Sequence, residues 1–214
     1  MKINLNEIVT LWYGGIKKHR LEIIENTITS LNLNAKHIPT IISDAAVGFV
    51  RLGCSASHKN ALEESLNYSG PVLILEDDAS PTEWYSNTID IPDDADAFYV
   101  GTCLNGISPH WEKMGPDEGC CGQLEVLQRH ESFYKISKML TTHAILYISE
   151  KYKTDCYNLL QENNGSRYLD VLFASKMHNY NVYAPKYPLF YQNCKDDNYD
   201  AYINTITPLI HVLK

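Results

Sequence analysis

Glu76, Asp77 and Asp78 stand in an unbroken row of three carboxylates. Like charges this close repel, and a folded chain tolerates them where a metal ion, an arginine or lysine, or a proton offsets the charge. The residues before them, Pro71-Val72-Leu73-Ile74-Leu75, are apolar without polar alternation, which is the pattern of a strand buried on both faces. The carboxylates therefore fall at the C-terminal end of that strand, where open α/β sheets bind ligands. If the chain stays extended, Glu76 and Asp78 share one face and Asp77 takes the other. Two carboxylates two residues apart make a hard-oxygen site suited to Mn²⁺ or Mg²⁺. A solvated acidic turn is the plainer alternative, although such turns seldom follow so apolar a strand directly.

The segments on either side supply the elements that must hold this stretch in place. Residues 7–12 read as a first strand, broken by Tyr13-Gly14-Gly15. Residues 16–31 carry Leu21, Ile24, Ile28 and Leu31 at helical spacing, and residues 35–42 form a second strand, giving a βαβ unit. The basic run Lys17-Lys18-His19-Arg20 lies in the first turns of that helix, where positive charge opposes the helix dipole. A nearby anion would explain the run; a solvated helix face is the plainer reading of each residue alone. A loop over 43–52 leads to a helix over 53–68, with His58, Ala61, Leu62, Ser65 and Leu66 on one face. After the acidic strand come a turn-rich stretch over 80–96 and a short strand over 97–100 closed by Gly101. Residues 102–122, with Trp111 and the Cys120-Cys121 pair, lack periodicity and are long enough for a lid or acceptor loop. The remainder reads as a hairpin over 124–136, a strand over 142–148, a helix over 149–162 capped by Ser149, and a helix over 167–178. Short strands over 181–184 and 189–192 follow, and a tail with Asp196-Asp197 ends in an apolar turn over 208–213. The expected fold is a single α/β domain over 1–214 with a central, mostly parallel sheet.

The net charge of −8 speaks against a surface built to grip nucleic acid or anionic membrane nonspecifically. No apolar run at the start resembles a signal peptide, and no transmembrane segment is expected. The six cysteines lack C-x-x-C spacing, which weighs against a zinc ribbon. They read as reduced thiols, and a cytoplasmic location is expected.

Gly53-Cys54-Ser55-Ala56-Ser57-His58 resembles the G-C-x-x-S-H motif of family 25 glycosyltransferases, the lipooligosaccharide and procollagen galactosyltransferases. Leu73-Ile74-Leu75-Glu76-Asp77-Asp78 is similar to that family's I-L-E-D-D, and Phe98-Tyr99-Val100-Gly101 to its glycine-ended strand. Weaker echoes lie at 141–149, at Asp170 and at 188–192. The first strand departs from the family's I-N-L-x-R-R pattern, with Arg20 standing for its arginines, and Tyr168-Leu169 replaces the Pro-Val before the family's aspartate.

The resemblance implies a GT-A-like (Rossmann-like) nucleotide-sugar transferase domain, with a donor half over 1–101, an acceptor half over 102–192 and a tail over 193–214. It implies inverting transfer of a hexose, such as galactose or glucose, from a UDP-sugar to a hydroxyl acceptor. A glycan is the favoured acceptor; the alternatives are a modified DNA base or an inactive nucleotide-sugar-binding protein. Glu76 and Asp78 are the candidates to hold Mn²⁺ or Mg²⁺, with Asp77 orienting the ribose or sugar; which of the three ligates stays open. Arg20, Ser57, His58 and Gln192 are the further donor-side candidates. Ser57 and His58 equally suit bracing of the acidic turn, or, for His58, a packed helix face. Thr142 and His143 are placed on the acceptor side. Asp170 is the candidate base, or else a helix N-terminal carboxylate satisfying the dipole.

Overall fold

A computed structural model describes residues 1–41, 50–104, 124–163, 168–196 and 198–211. The chain opens with a short strand β1 (Lys2–Asn4), then β2 (Val9–Tyr13), helix α1 (Lys18–Leu31) and β3 (Asn34–His37). Strands β2 and β3 pair in parallel, as a βαβ unit requires. Helix α2 (Val50–Ser65) precedes β4 (Val72–Glu76), which is followed by β5 (Ala79–Pro81), β6 (Thr88–Asp90) and β7 (Ala97–Phe98). The hairpin β8 (Glu125–Arg129) and β9 (Phe133–Lys138) leads to β10 (Ala144–Tyr147), α3 (Glu150–Glu162) and α4 (Leu169–Lys176). Strands β11 (Val182–Pro185) and β12 (Phe190–Gln192) and helix α5 (Tyr199–Ile206) close the described chain, apart from two 3₁₀ turns at Met177–Asn179 and Leu209–His211.

Eight strands form one sheet in the order β3-β2-β4-β10-β7-β11-β9-β8. Strands β10 and β9 run against the rest, so the sheet is mixed and mostly parallel within an α/β fold. Strand β4 lies inside it, and Val72, Leu73, Ile74 and Leu75 are all fully buried. Val72 and Ile74 pack with Leu11, Tyr13 and Tyr147 beneath residues of α2, α3 and α4, whereas Leu73 and Leu75 pack with Trp12, Leu146 and Ile24 of α1. Both faces are covered, so the strand has no place for polar alternation. Each of these side chains contributes about 1.5–3 kcal/mol by leaving water.

Several boundaries differ from the sequence expectation. Strand β4 ends at Glu76, and Asp77 and Asp78 lie in a turn, so strict alternation does not run through the triplet. Two small sheets, β1 with β6 and β5 with β12, arise from three-residue strands too short to carry a pattern. Leu66 is exposed in the turn just past the end of α2. Helix α5 replaces part of the expected tail. Residue 42 of the expected second strand, residues 43–49 of the expected loop over 43–52, residues 105–122 of the candidate lid with Trp111, Cys120 and Cys121, and Arg167, Asp197 and Leu213 lie outside the described residues.

The entry to β4 is tied down by Lys153, which is fully buried on α3. Its Nζ donates to Tyr68 O at 3.2 Å and to Gly70 O at 2.7 Å. Lys153→Met keeps most of the volume and removes both charge-assisted bonds, so thermal unfolding is expected to show a loss of about 1.5–3 kcal/mol.

Candidate functional site

The sheet register puts the flanking residues beside Glu76. Tyr13 ends β2 opposite Glu76 in the parallel pair, and the Glu76 N–H donates to His143 O on the approach to β10. Glu76 Oε1 accepts from Tyr13 OH at 3.2 Å and from Thr142 Oγ1 at 2.6 Å. Asp77 turns toward the glycine break, where its Oδ2 accepts from Gly15 N at 2.6 Å. Gly14 has φ +111°, and a Cβ there would sit 2.4 Å from Asp77 Cγ. The glycine therefore permits both the backbone and the close approach of the carboxylate. Gly14→Ala is expected to cost at least about 1–3 kcal/mol of stability, read by denaturant unfolding, and to weaken binding of any ligand on Asp77.

For Arg20, the last residue of the basic run, the anion is the acidic turn itself. Arg20 Nη1 lies 3.2 Å from Asp77 Oδ1 and 3.3 Å from Asp78 Oδ2. Gln192 Nε2 lies 3.5 Å from Asp78 Oδ2. Burial pushes the Glu76 carboxyl well above the usual carboxylate range, and the neighbouring Asp78 charge adds to the rise. Burial also raises Asp78, with Arg20 pulling the other way. Glu76 thus carries the larger unmet demand for a positive charge.

In the folded protein the Glu76 pKa stands above its unfolded value. Its contribution to stability is therefore full below the ordinary glutamate range, about pH 4, and is lost as pH rises through the raised pKa. Without divalent cation, the protein is expected to lose stability from acidic to mildly alkaline pH, and Glu76→Gln to lose less. Thermal melts across that range read the difference.

A divalent cation fits the residues present. Asp78 Oδ1 is buried and takes no hydrogen bond. Among the described residues no group of three His, Cys, Asp or Glu side chains forms a ready-made cage. Mg²⁺-type sites commonly use one or two carboxylates and complete the shell with substrate phosphates and water. Glu76 and Asp78 are a donor set of that kind.

Two cavities meet at Glu76 and Cys54, which line both. One, of about 290 Å³, is bordered by Gly14, Ile16, Arg20, Ile41, Ser57 and Asp77. The other, of about 260 Å³, is bordered by Leu140, Thr142, Tyr168, Asp170, Gln192 and Asn198. Asp170 lies in the first turn of α4, with Oδ1 accepting from Val171 N at 2.8 Å. Burial raises its pKa, and the backbone bonds partly oppose the rise. Asp170 is thus a helix N-terminal carboxylate that also borders a cavity.

No protein-family model matches the chain, and no curated protein matches it. Solved structures resemble it at low identity. A UDP-glucose pyrophosphorylase complexed with UDP-glucose is 13% identical, with 92% of this chain and 78% of that one covered and a TM-score of 0.49. A197 from STIV is 12% identical over 86% of this chain and 85% of that one, with a TM-score of 0.46. A glycosyltransferase involved in the glycosylation of the major capsid of PBCV-1 is 12% identical over 78% of this chain and 73% of that one, with a TM-score of 0.42. Among the described residues, no helix is long and apolar enough to cross a membrane.

Of the sequence candidates, His58 takes the packed, bracing place that was its alternative, and His143, Gln192 and Ser57 depart in part from the sides assigned to them. His58 is fully buried, with Nδ1 2.8 Å from Tyr13 OH and Nε2 2.8 Å from Tyr147 OH, so it lies behind Glu76 and does not face a donor. His143 is also fully buried; Nε2 donates to Phe190 O at 3.3 Å, and Nδ1 accepts from Thr141 Oγ1 at 2.5 Å. Thr142 borders the Asp170 cavity and bonds Glu76, whereas His143 packs inward against Phe190 O. A Cβ on Gly101 would lie 2.2 Å from His143 Nε2, which gives the glycine after β7 a packing reason. Gln192 borders the Asp170 cavity rather than the Arg20 cavity. Ser57 borders the Arg20 cavity, but its hydroxyl is engaged, donating to Gly53 O at 2.8 Å and accepting from Ile41 N at 2.9 Å.

Sequence reasoning passed over Tyr13 and Thr40. Tyr13 could have been found as the residue that ends the first strand beside a neighbouring strand's carboxylate. Thr40 Oγ1 accepts from Gly14 N at 2.7 Å and donates to Gly14 O at 2.8 Å, pinning the glycine turn. Nothing in the local sequence marks it.

Proposed function

We propose that this chain is a divalent-cation-dependent, inverting glycosyltransferase that moves a hexose from a UDP-sugar to a hydroxyl acceptor, with a glycan as the favoured acceptor. One observation carries the reading: the half-buried Glu76 carboxylate at the end of β4 lies where two cavities meet, with Arg20 bordering one and Asp170 the other, and the buried Asp78 two residues on. The motifs that resemble family 25 glycosyltransferases fall on these same residues. The Arg20 cavity takes the nucleotide diphosphate, and the Asp170 cavity takes the acceptor.

In this reading Glu76 and Asp78 hold Mn²⁺ or Mg²⁺, which when bound supplies Lewis-acid stabilisation to the leaving diphosphate. Arg20 adds N–H donors to the diphosphate side and holds Asp77 oriented toward the ribose or sugar. Thr142 and Tyr13 fix the Glu76 carboxylate. Asp170 accepts the proton of the attacking hydroxyl on the side opposite the diphosphate. Its raised pKa makes it a better base near neutral pH than an ordinary aspartate. Gln192 orients Asp78 from the acceptor side.

Turnover of a panel of nucleotide sugars tests the reading. Hydrolysis or transfer with a UDP-hexose is expected in Mn²⁺ or Mg²⁺ and is expected to stop with chelator. No turnover, together with no UDP-dependent rise in melting temperature in the presence of cation, contradicts it.

A further inference from the structure

Tyr147, His58, Tyr13 and Glu76 form an unbroken line of hydrogen bonds through the protein interior. Tyr147 OH lies 2.8 Å from His58 Nε2, His58 Nδ1 lies 2.8 Å from Tyr13 OH, and Tyr13 OH lies 3.2 Å from Glu76 Oε1. The line crosses from β10 through α2 to β2 and ends on β4. Tyr147 and His58 are fully buried, and Tyr13 is buried.

Proton counting gives the line a direction. A tyrosine hydroxyl has one proton, and an ionised carboxylate only accepts. With Glu76 ionised, the form that can hold a cation, Tyr13 gives its proton to Glu76 and receives one from His58 Nδ1. Burial holds the His58 imidazole neutral, with its pKa lowered to about 3. A neutral ring with its proton on Nδ1 has a bare Nε2, which accepts from Tyr147 OH. Every proton on the line points toward Glu76. Thr142 Oγ1 donates to the same oxygen, so both protein bonds fall on Oε1. Among the described residues, none falls on Oε2.

We propose that His58 and Tyr147 are positioning residues which, through Tyr13, tie down Oε1 of Glu76 and leave Oε2 turned to the cation and diphosphate. This rests on the reading of Glu76 as a cation ligand. Partners behind a metal ligand set its orientation and its strength as an electron donor, and their loss typically costs about 10–100-fold in metal affinity. A histidine that merely filled the core would need neither tyrosine hydroxyl and would show no coupling to the cation.

Two measurements test it. The first is the ¹⁵N NMR signature of His58 in ligand-free wild-type protein at alkaline pH, where the Glu76 carboxylate is ionised. Proton on Nδ1 with a bare Nε2 is expected; proton on Nε2 reverses the line and overturns the proposal. The second compares Tyr13→Phe, which removes one oxygen, with wild type in UDP titrations with and without Mn²⁺. The affinity gained from Mn²⁺, taken as the ratio of UDP affinity with and without cation in each protein, is expected to fall about tenfold or more. An undiminished gain in the variant overturns the proposal. If wild type itself gains nothing from Mn²⁺, the cation reading of Glu76 fails, and the ligand part of this proposal fails with it. The tautomer measurement still decides the direction of the line in that case.

Discussion

Asp170→Asn is expected to lower transfer by about 10²–10⁴-fold, the range of a lost general base, and to leave Mn²⁺-dependent UDP binding unchanged. The substitution keeps an oxygen to accept from Val171 N, so the start of α4 is preserved. It removes the charge and the basicity. Burial raises the Asp170 pKa, so the wild-type rate is expected to climb with pH through a midpoint above the ordinary aspartate range. The variant is expected to lack that limb. If Asp170 serves only the helix dipole, the variant instead keeps its rate and loses about 0.3–1 kcal/mol of stability. Single-turnover kinetics over a pH series separates these outcomes.

Asp78→Asn carries the second large effect. The side chain has nearly the same shape, and an amide can still meet Gln192 and Arg20 through one oxygen. The charge that would draw a cation is gone. Mn²⁺ is expected to lose most of its effect on UDP affinity, about 10²-fold, in keeping with the several kcal/mol that a bound cation supplies to a phosphoryl oxygen. Arg20 keeps Asp77 as a partner, so the turn is expected to survive. Calorimetric titration of UDP into wild type and variant, each with and without Mn²⁺, measures the change. A variant that retains the full cation effect removes Asp78 from the ligand set.

The acidic strand was legible because its information is local. An apolar run buried on both faces needs no partner to be recognised, and three adjacent carboxylates state their own need for positive charge. What answers that need was not legible. Arg20 reaches Asp77 and Asp78 from a helix that the sequence shows only as basic at its start. His58 illustrates the same limit. Its place on a packed helix face follows from spacing, but its two tyrosine partners come from two different strands, and only the sheet register brings them together. Thr142 and His143 look equivalent in sequence, and their different places follow from partners far along the chain, Glu76 for one and Phe190 for the other. Helix α5 was hidden because Lys195-Asp196-Asp197-Asn198 reads as a polar loop running into it.

The central claim is that Glu76 and Asp78 hold a cation for a nucleotide diphosphate. Titration of UDP into the wild-type protein, in chelator and then in Mn²⁺, tests it most directly. The expected result is weak binding in chelator and affinity at least about tenfold higher with Mn²⁺, a gain that Glu76→Gln abolishes. Equal affinity in the two conditions, or no UDP binding in either, contradicts the claim.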